Sequence, residues 1–216
     1  MKMNLPNKLT VLRLIMVPIF MVVMLIPVFA TLDTVTEDIL TLVGAFLFIA
    51  AAITDMLDGK IARRDGLVTD FGKFLDPLAD KFMVIGALLC VFYSSFTKNG
   101  GVLSILYFFA LVIVIFRELA VTSIRLIASS SKGVVIAANM LGKIKTVMQI
   151  VAISSAMIEP VLLRGLAYLL PAGAIPEVIF AFPPITVIST VAMIYLTIHS
   201  GVNYIVGAWK YLDHTK

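Results

Sequence analysis

Four aspartates stand in two close pairs, Asp55 with Asp58 and Asp76 with Asp80, inside one short segment of an otherwise oily chain. Spacings of three and four residues put the members of each pair on one helix face. If the two helices are antiparallel neighbours joined by a turn, all four carboxylates converge on one small volume. Like charges so placed near a low-dielectric region must protonate, move apart or bind cations. Their hard oxygens favour Mg²⁺ or Mn²⁺, with phosphate oxygens and water completing the shells. Two such ions, about 3.5–4 Å apart, can stabilise both the attacking and the leaving oxygen of a displacement. Asp55, Asp58, Asp76 and Asp80 are therefore the candidate metal ligands. The metal-free alternative, acidic groups acting as caps and solvated loop residues, suits Asp70 better than these four.

Other residues nearby suit a phosphorylated ligand. Gly59, with the small Ala62 three residues on, leaves a bare face where a diphosphate or a flat group can approach the backbone. The plain alternative makes Gly59 and Gly72 turn breakers. Arg63 offers a fork of donors to phosphate, and otherwise serves as an interfacial arginine. Asp76 is expected at or near a helix cap, with Pro77 in the first turn.

A second set of charges lies further on. Arg117 falls inside the apolar run LYFFALVIVIFRELAVTSIRLIA, and an intramembrane arginine normally faces a cavity or a partner. Pairing with Glu118, or snorkelling, is the alternative. Arg125 is eight residues on, about two helical turns, and Lys143 and Lys145 open the next apolar run. A cluster of Arg117, Arg125, Lys143 and Lys145, with Lys81, suits a dianionic phosphate and exceeds what a neutral acceptor needs. Asn7 and Thr10 are candidate polar contacts of a cavity, or else a cap and a spare hydroxyl. His199 and His214 belong to no motif.

The elements that position these residues follow from composition. The chain has 216 residues, 61% hydrophobic and 14% charged, against about 25% charged in an average soluble domain. A soluble domain of this length cannot hide that much apolar surface, so an all-α integral membrane protein is expected, as one domain over 1–216. Six apolar runs, roughly 8–30, 38–57, 77–96, 102–127, 142–159 and 183–206, approach the length needed to cross a bilayer. Pro160, Pro171, Pro176, Gly165 and Gly173 are expected to break any long helix in 160–182, leaving an interfacial helix and loop or a re-entrant hairpin. The first run, with Arg13 inside it, does not read as a cleavable signal. Lone Cys90 reads as a small buried hydrophobe.

Lys2, Lys8 and Arg13 begin the chain, Lys60, Arg63, Arg64 and Lys73 follow the second run, Arg125 to Lys145 surround the fourth connection, and Lys210 and Lys216 end it. The opposite connections hold few basic residues, so both termini and the 58–76 connection belong in the cytoplasm. The net charge of +4 fits anionic lipid or phosphorylated substrate. Basic groups that flank apolar spans do not suggest nucleic acid.

The spacing Asp55-x-x-Asp58-Gly59-x-x-Ala62-Arg63, eight residues, then Gly72-x-x-x-Asp76-x-x-x-Asp80 resembles the signature of the CDP-alcohol phosphatidyltransferase family at every fixed position. PNKLTVLRLIMVPIF at 6–20, DPLADK at 76–81, FRELAVTSIRL at 116–126 and LGKIKTVMQ at 141–149 extend the resemblance, closest to bacterial members that use sn-glycerol 3-phosphate. The resemblance implies a six-helix membrane enzyme of the bacterial inner membrane, usually a homodimer, with a polar cavity open to the cytoplasm. It implies two Mg²⁺ or Mn²⁺ ions, one on Asp55, Asp58 and Asp76, the other on Asp55, Asp76 and Asp80, with Asp80 as general base. It also implies CDP-diacylglycerol as donor, its CDP portion lined by Gly59, Ala62, Arg63, Thr69 and Gly72. Members making cardiolipin or phosphatidylinositol phosphate remain alternatives at this point. A carboxylate-lined cation transporter is the rival from another class, but it would spread its acidic groups toward the midplane on several helices.

Overall fold

The computed structural model describes residues 4–64, 69–98, 100–132 and 140–209; the side chains of residues 62, 63, 70, 73 and 128–132 lie outside that description. Among the described residues, long helices dominate: α1 Leu5–Phe29, α2 Thr34–Arg64, α3 Asp70–Lys98, α4 Val102–Lys132, α5 Met140–Leu169, the short α6 Glu177–Ala181, and α7 Pro184–Ala208. The helical architecture, strand-free among the described residues, agrees with expectation. Five stretches, Leu5–Phe29, Thr34–Ile61, Val102–Ile127, Met140–Leu169 and Glu177–Ala208, are long and apolar enough to cross a membrane, which makes this a multi-pass membrane protein.

Local signals fix the helix starts. Asn4 caps α1 by accepting the Asn7 N–H at 3.0 Å, just ahead of Pro6 in the first turn. Asp33 caps α2 through the Thr36 N–H at 3.1 Å and hydroxyl at 2.6 Å. The Thr36 hydroxyl and N–H hold its carboxyl below the usual carboxylate range.

Three boundaries differ from the sequence expectation. α3 begins at Asp70, and its cap is Thr69, whose Oγ1 accepts the Gly72 N–H at 3.0 Å. Asp76 and Pro77 therefore lie inside the helix, away from the cap. Gly59 and Gly72 are both helical, so neither breaks a turn. α5 runs through Pro160 and Gly165 to Leu169, so the break expected at 160 is corrected to the short stretch before α6. A buried helix tolerates an internal proline where neighbouring helices hold it on both sides; α5 packs on α2, α3 and α7.

The core lies where α1 packs on α2 and α3, and where α4, α5 and α7 close the other side. Phe20, Phe48, Met83, Leu88, Val114, Ile153, Met157 and Met193 are buried there. Small residues let the helices approach: a Cβ at Gly86 of α3 would lie 2.9 Å from Met21 Sδ of α1. Buried Glu159 of α5 ties down α7 by accepting the backbone N–H groups of Ile185 (3.0 Å) and Thr186 (2.6 Å). Those donors have no intrahelical partner.

Candidate active site

Asp55 and Asp58 lie one turn apart on α2, and both meet the same cation. Arg13 of α1 places Nη1 2.5 Å from Asp55 Oδ1 and donates from Nη2 to Asp58 Oδ2. Arg13 is 0% exposed and Asp58 is 4% exposed. On α3, Asp76 Oδ1 accepts the Thr10 hydroxyl at 2.8 Å, with the Pro6 carbonyl 3.1 Å from the same hydroxyl. Asp80 Oδ1 is buried and has no hydrogen-bond partner among the described residues. Asp80 shares a cavity with Asp55, while Asp58 and Asp76 are turned toward α1. Among the described residues, no three acidic, His or Cys side chains are gathered closely enough here to hold an ion. The Arg13 guanidinium takes the position between Asp55 and Asp58.

The start of α1 is knitted to the start of α3. The Thr69 hydroxyl donates to Asn7 Oδ1 at 3.0 Å. A Cβ at Gly72 would stand 3.0 Å from that same Asn7 oxygen and 3.3 Å from Thr69 Oγ1, so a larger residue there would press on the α1–α3 contact. Asn7 and Thr10 are both buried, and they reach the site through Thr69 and Asp76. Gly59 is half-buried in α2. Ala62 and Arg63 belong to the end of α2, with side chains outside the described residues.

The cavity, about 590 Å³, lies between α2 and α5, with Asp80 and α4 behind it. Asp55 and Asp80 line it on one side; Arg117, Arg125, Lys143 and Lys145 line it on the other. Two charge sets from distant parts of the sequence are thereby brought together. Glu118 sits among the cations, with Arg117 Nη1 3.1 Å from its Oε1 and Lys145 Nζ on the same oxygen. Lys81 donates to the Thr122 hydroxyl at 2.6 Å, and that hydroxyl is 2.7 Å from the Glu118 carbonyl. Arg125 is exposed; its Nε donates to the Tyr204 hydroxyl at 3.1 Å, and its guanidinium lies 5.2 Å from the ring centroid. Arg117 fits tightly, since a Cβ at Gly201 of α7 would lie 3.1 Å from its Cγ.

Sequence reasoning missed two members of this constellation. Arg13 reads as one more basic residue flanking the first span, although it stands inside an apolar run as Arg117 does, and that was the available signal. Glu118 reads only as a rival partner for Arg117, and nothing in the sequence ties it to Lys145.

This geometry can be set beside known proteins. The profile of the CDP-alcohol phosphatidyltransferase family matches residues 3–212. The chain belongs to this family. It is 39% identical over 212 residues, 97% of each chain, to the CDP-diacylglycerol--glycerol-3-phosphate 3-phosphatidyltransferase of Bacillus subtilis (strain 168). A protein of the same name from Wigglesworthia glossinidia brevipalpis is 35% identical over 160 residues, 73% of this chain and 78% of its own. A probable phosphatidylglycerophosphate synthase of Mycobacterium tuberculosis (strain ATCC 25618 / H37Rv) is 35% identical over 210 residues, 96% of this chain and 82% of its own. Members of the family are generally dependent on divalent metal.

Proposed function

We propose that this chain transfers the phosphatidyl group of CDP-diacylglycerol to sn-glycerol 3-phosphate, giving phosphatidylglycerophosphate and CMP. The observation that carries the reading is one cavity lined by Asp55 and Asp80 on one side and by Arg117, Arg125, Lys143 and Lys145 on the other. A phosphoryl transfer between two anionic substrates calls for both halves. The named relatives support the choice of donor and acceptor.

The donor chemistry suits a divalent cation, although the four carboxylates are not gathered round one point here: it is all carboxylate oxygen, and Asp80 Oδ1 is buried with no protein partner among the described residues. Asp55, Asp58, Asp76 and Asp80 would hold the metal, Mg²⁺ or Mn²⁺. Bound there, a divalent ion would supply charge neutralisation for the pyrophosphate and acidity to the attacking hydroxyl. Gly59, Ala62, Arg63, Thr69 and Gly72 serve the CDP portion of the donor. Arg117 and Lys145 take the acceptor phosphate, aided by Lys143, Arg125 and Lys81, and so present the 1-hydroxyl of glycerol phosphate. Its oxygen bonds to the phosphorus nearer the diacylglycerol, the bond from that phosphorus to CMP breaks, and Asp80 accepts the hydroxyl proton. On the charge distribution, the cavity opens to the cytoplasm and α3 makes a sixth crossing; the lipid tails of the donor enter sideways from the bilayer. A homodimer in the cell membrane is the assembly in which we place it.

Purified protein in detergent with CDP-diacylglycerol, Mg²⁺ and a panel of acceptors tests the reading. CMP release with glycerol 3-phosphate, lost on chelation, is expected; equal release with free inositol or serine overturns the acceptor.

A further inference from the structure

We infer that Arg13 is a resident counter-cation of the metal site, neutralising Asp55 and Asp58 in the metal-free protein and competing with a divalent ion for their oxygens. This rests on the reading of those aspartates as metal ligands. Arg13 is 0% exposed, so its permanent charge is costly to bury without carboxylates against it. Two acids one turn apart, one of them buried, repel each other unless a cation lies against both. The guanidinium serves both, Nη2 donating to Asp58 Oδ2 and Nη1 making an ion-pair contact with Asp55 Oδ1. Its Nε has no hydrogen-bond partner among the described residues, and among them its guanidinium contacts these two acids.

The backbone setting makes the arrangement specific. Asn7, Thr10 and Arg13 are buried on one face of α1, spaced by three residues. From that face Asn7 meets Thr69, Thr10 meets Asp76, and Arg13 meets the α2 pair. α1 therefore stays fastened to α3 through Asn7 and Thr10 whichever cation faces Asp55 and Asp58. A purely structural clamp keeps both Arg13 contacts with metal bound; a counter-cation yields them. The two roles differ in what they do to metal affinity.

Wild-type protein, Arg13→Gln and Arg13→Lys in detergent should be compared by Mn²⁺ binding, read from the free-Mn²⁺ electron paramagnetic resonance signal, and by thermal unfolding in EDTA and in Mn²⁺. Arg13→Gln should bind Mn²⁺ more tightly than wild type, by about threefold or more, and unfold earlier in EDTA. Its midpoint should then rise on Mn²⁺ addition by more than that of wild type. Arg13→Lys should lie between. Affinity and metal-induced shift equal to or below wild type in Arg13→Gln overturn the inference. If that variant does not fold in either condition, the same comparison on Arg13→Lys decides. Wild-type protein with no saturable Mn²⁺ binding sensitive to Asp55→Asn removes the metal reading itself, and the inference with it.

Discussion

The acidic and basic walls of the cavity each meet one residue of opposite sign, but in different ways. On the acidic wall, Arg13 comes from a separate helix, is fully enclosed and bridges two carboxylates on α2. On the basic wall, Glu118 is a sequence neighbour of Arg117, reaches Lys145 on α5, and keeps 14% of its side chain exposed. Removing one partner of a buried pair costs about 3–5 kcal/mol, because the other charge is stranded. The acidic wall therefore depends on a cation to keep its shape. The basic wall holds more cations than its one carboxylate can occupy, and Lys143 and Arg125 still face the cavity. One wall is set to exchange a cation for a cation, the other to admit an anion beside an acid already in place.

Changes on the two walls should split by kinetic parameter. Asp80→Asn, which keeps the shape but removes the proton acceptor and a charged oxygen, should lower kcat by about 10²–10⁴-fold. CMP release at saturating substrates reads this, and a loss confined to KM would break the assignment of the acidic wall. Lys145→Met removes a charged donor worth about 1.5–3 kcal/mol. It should raise the KM for glycerol 3-phosphate by about 10–100-fold and leave that for CDP-diacylglycerol within a factor of about two.

Glu118→Gln sharpens the contrast. It should raise the acceptor KM by about tenfold, with Glu118→Asp recovering part of the loss and the Lys145→Met double variant less than additive. Additive effects would mean that Glu118 does not act through Lys145. The smallest effect is expected from Gly201→Ala, whose Cβ would press on Arg117 Cγ at 3.1 Å. A rise of about two- to fivefold in acceptor KM, with little change in thermal midpoint, separates displacement of Arg117 from loss of packing.

Much of the helical plan was legible because apolar runs of bilayer-spanning length are a local signal. The aspartate pairs were legible for the same reason, as spacing alone puts 55 with 58 and 76 with 80 on common faces. Pro160 misled because its local cost to a helix is real, and only packing of α5 against α2, α3 and α7 offsets it. Thr69, rather than Asp76, became the α3 cap because α3 starts earlier than its apolar stretch, where Asn7 of α1 receives the Thr69 hydroxyl. Arg13 and Glu118 were visible as charges in apolar runs, but their partners were not.

The sequence by itself determined that this chain is helical and membrane-spanning, which residues carry charge into it, and which charges share a turn. Only the tertiary structure decided that Arg13 lies between Asp55 and Asp58, that Glu118 joins Arg117 to Lys145, and that both walls face one cavity. Helix faces follow from a local period of 3.6 residues, whereas the counter-ion a buried charge meets depends on which helices pack side by side.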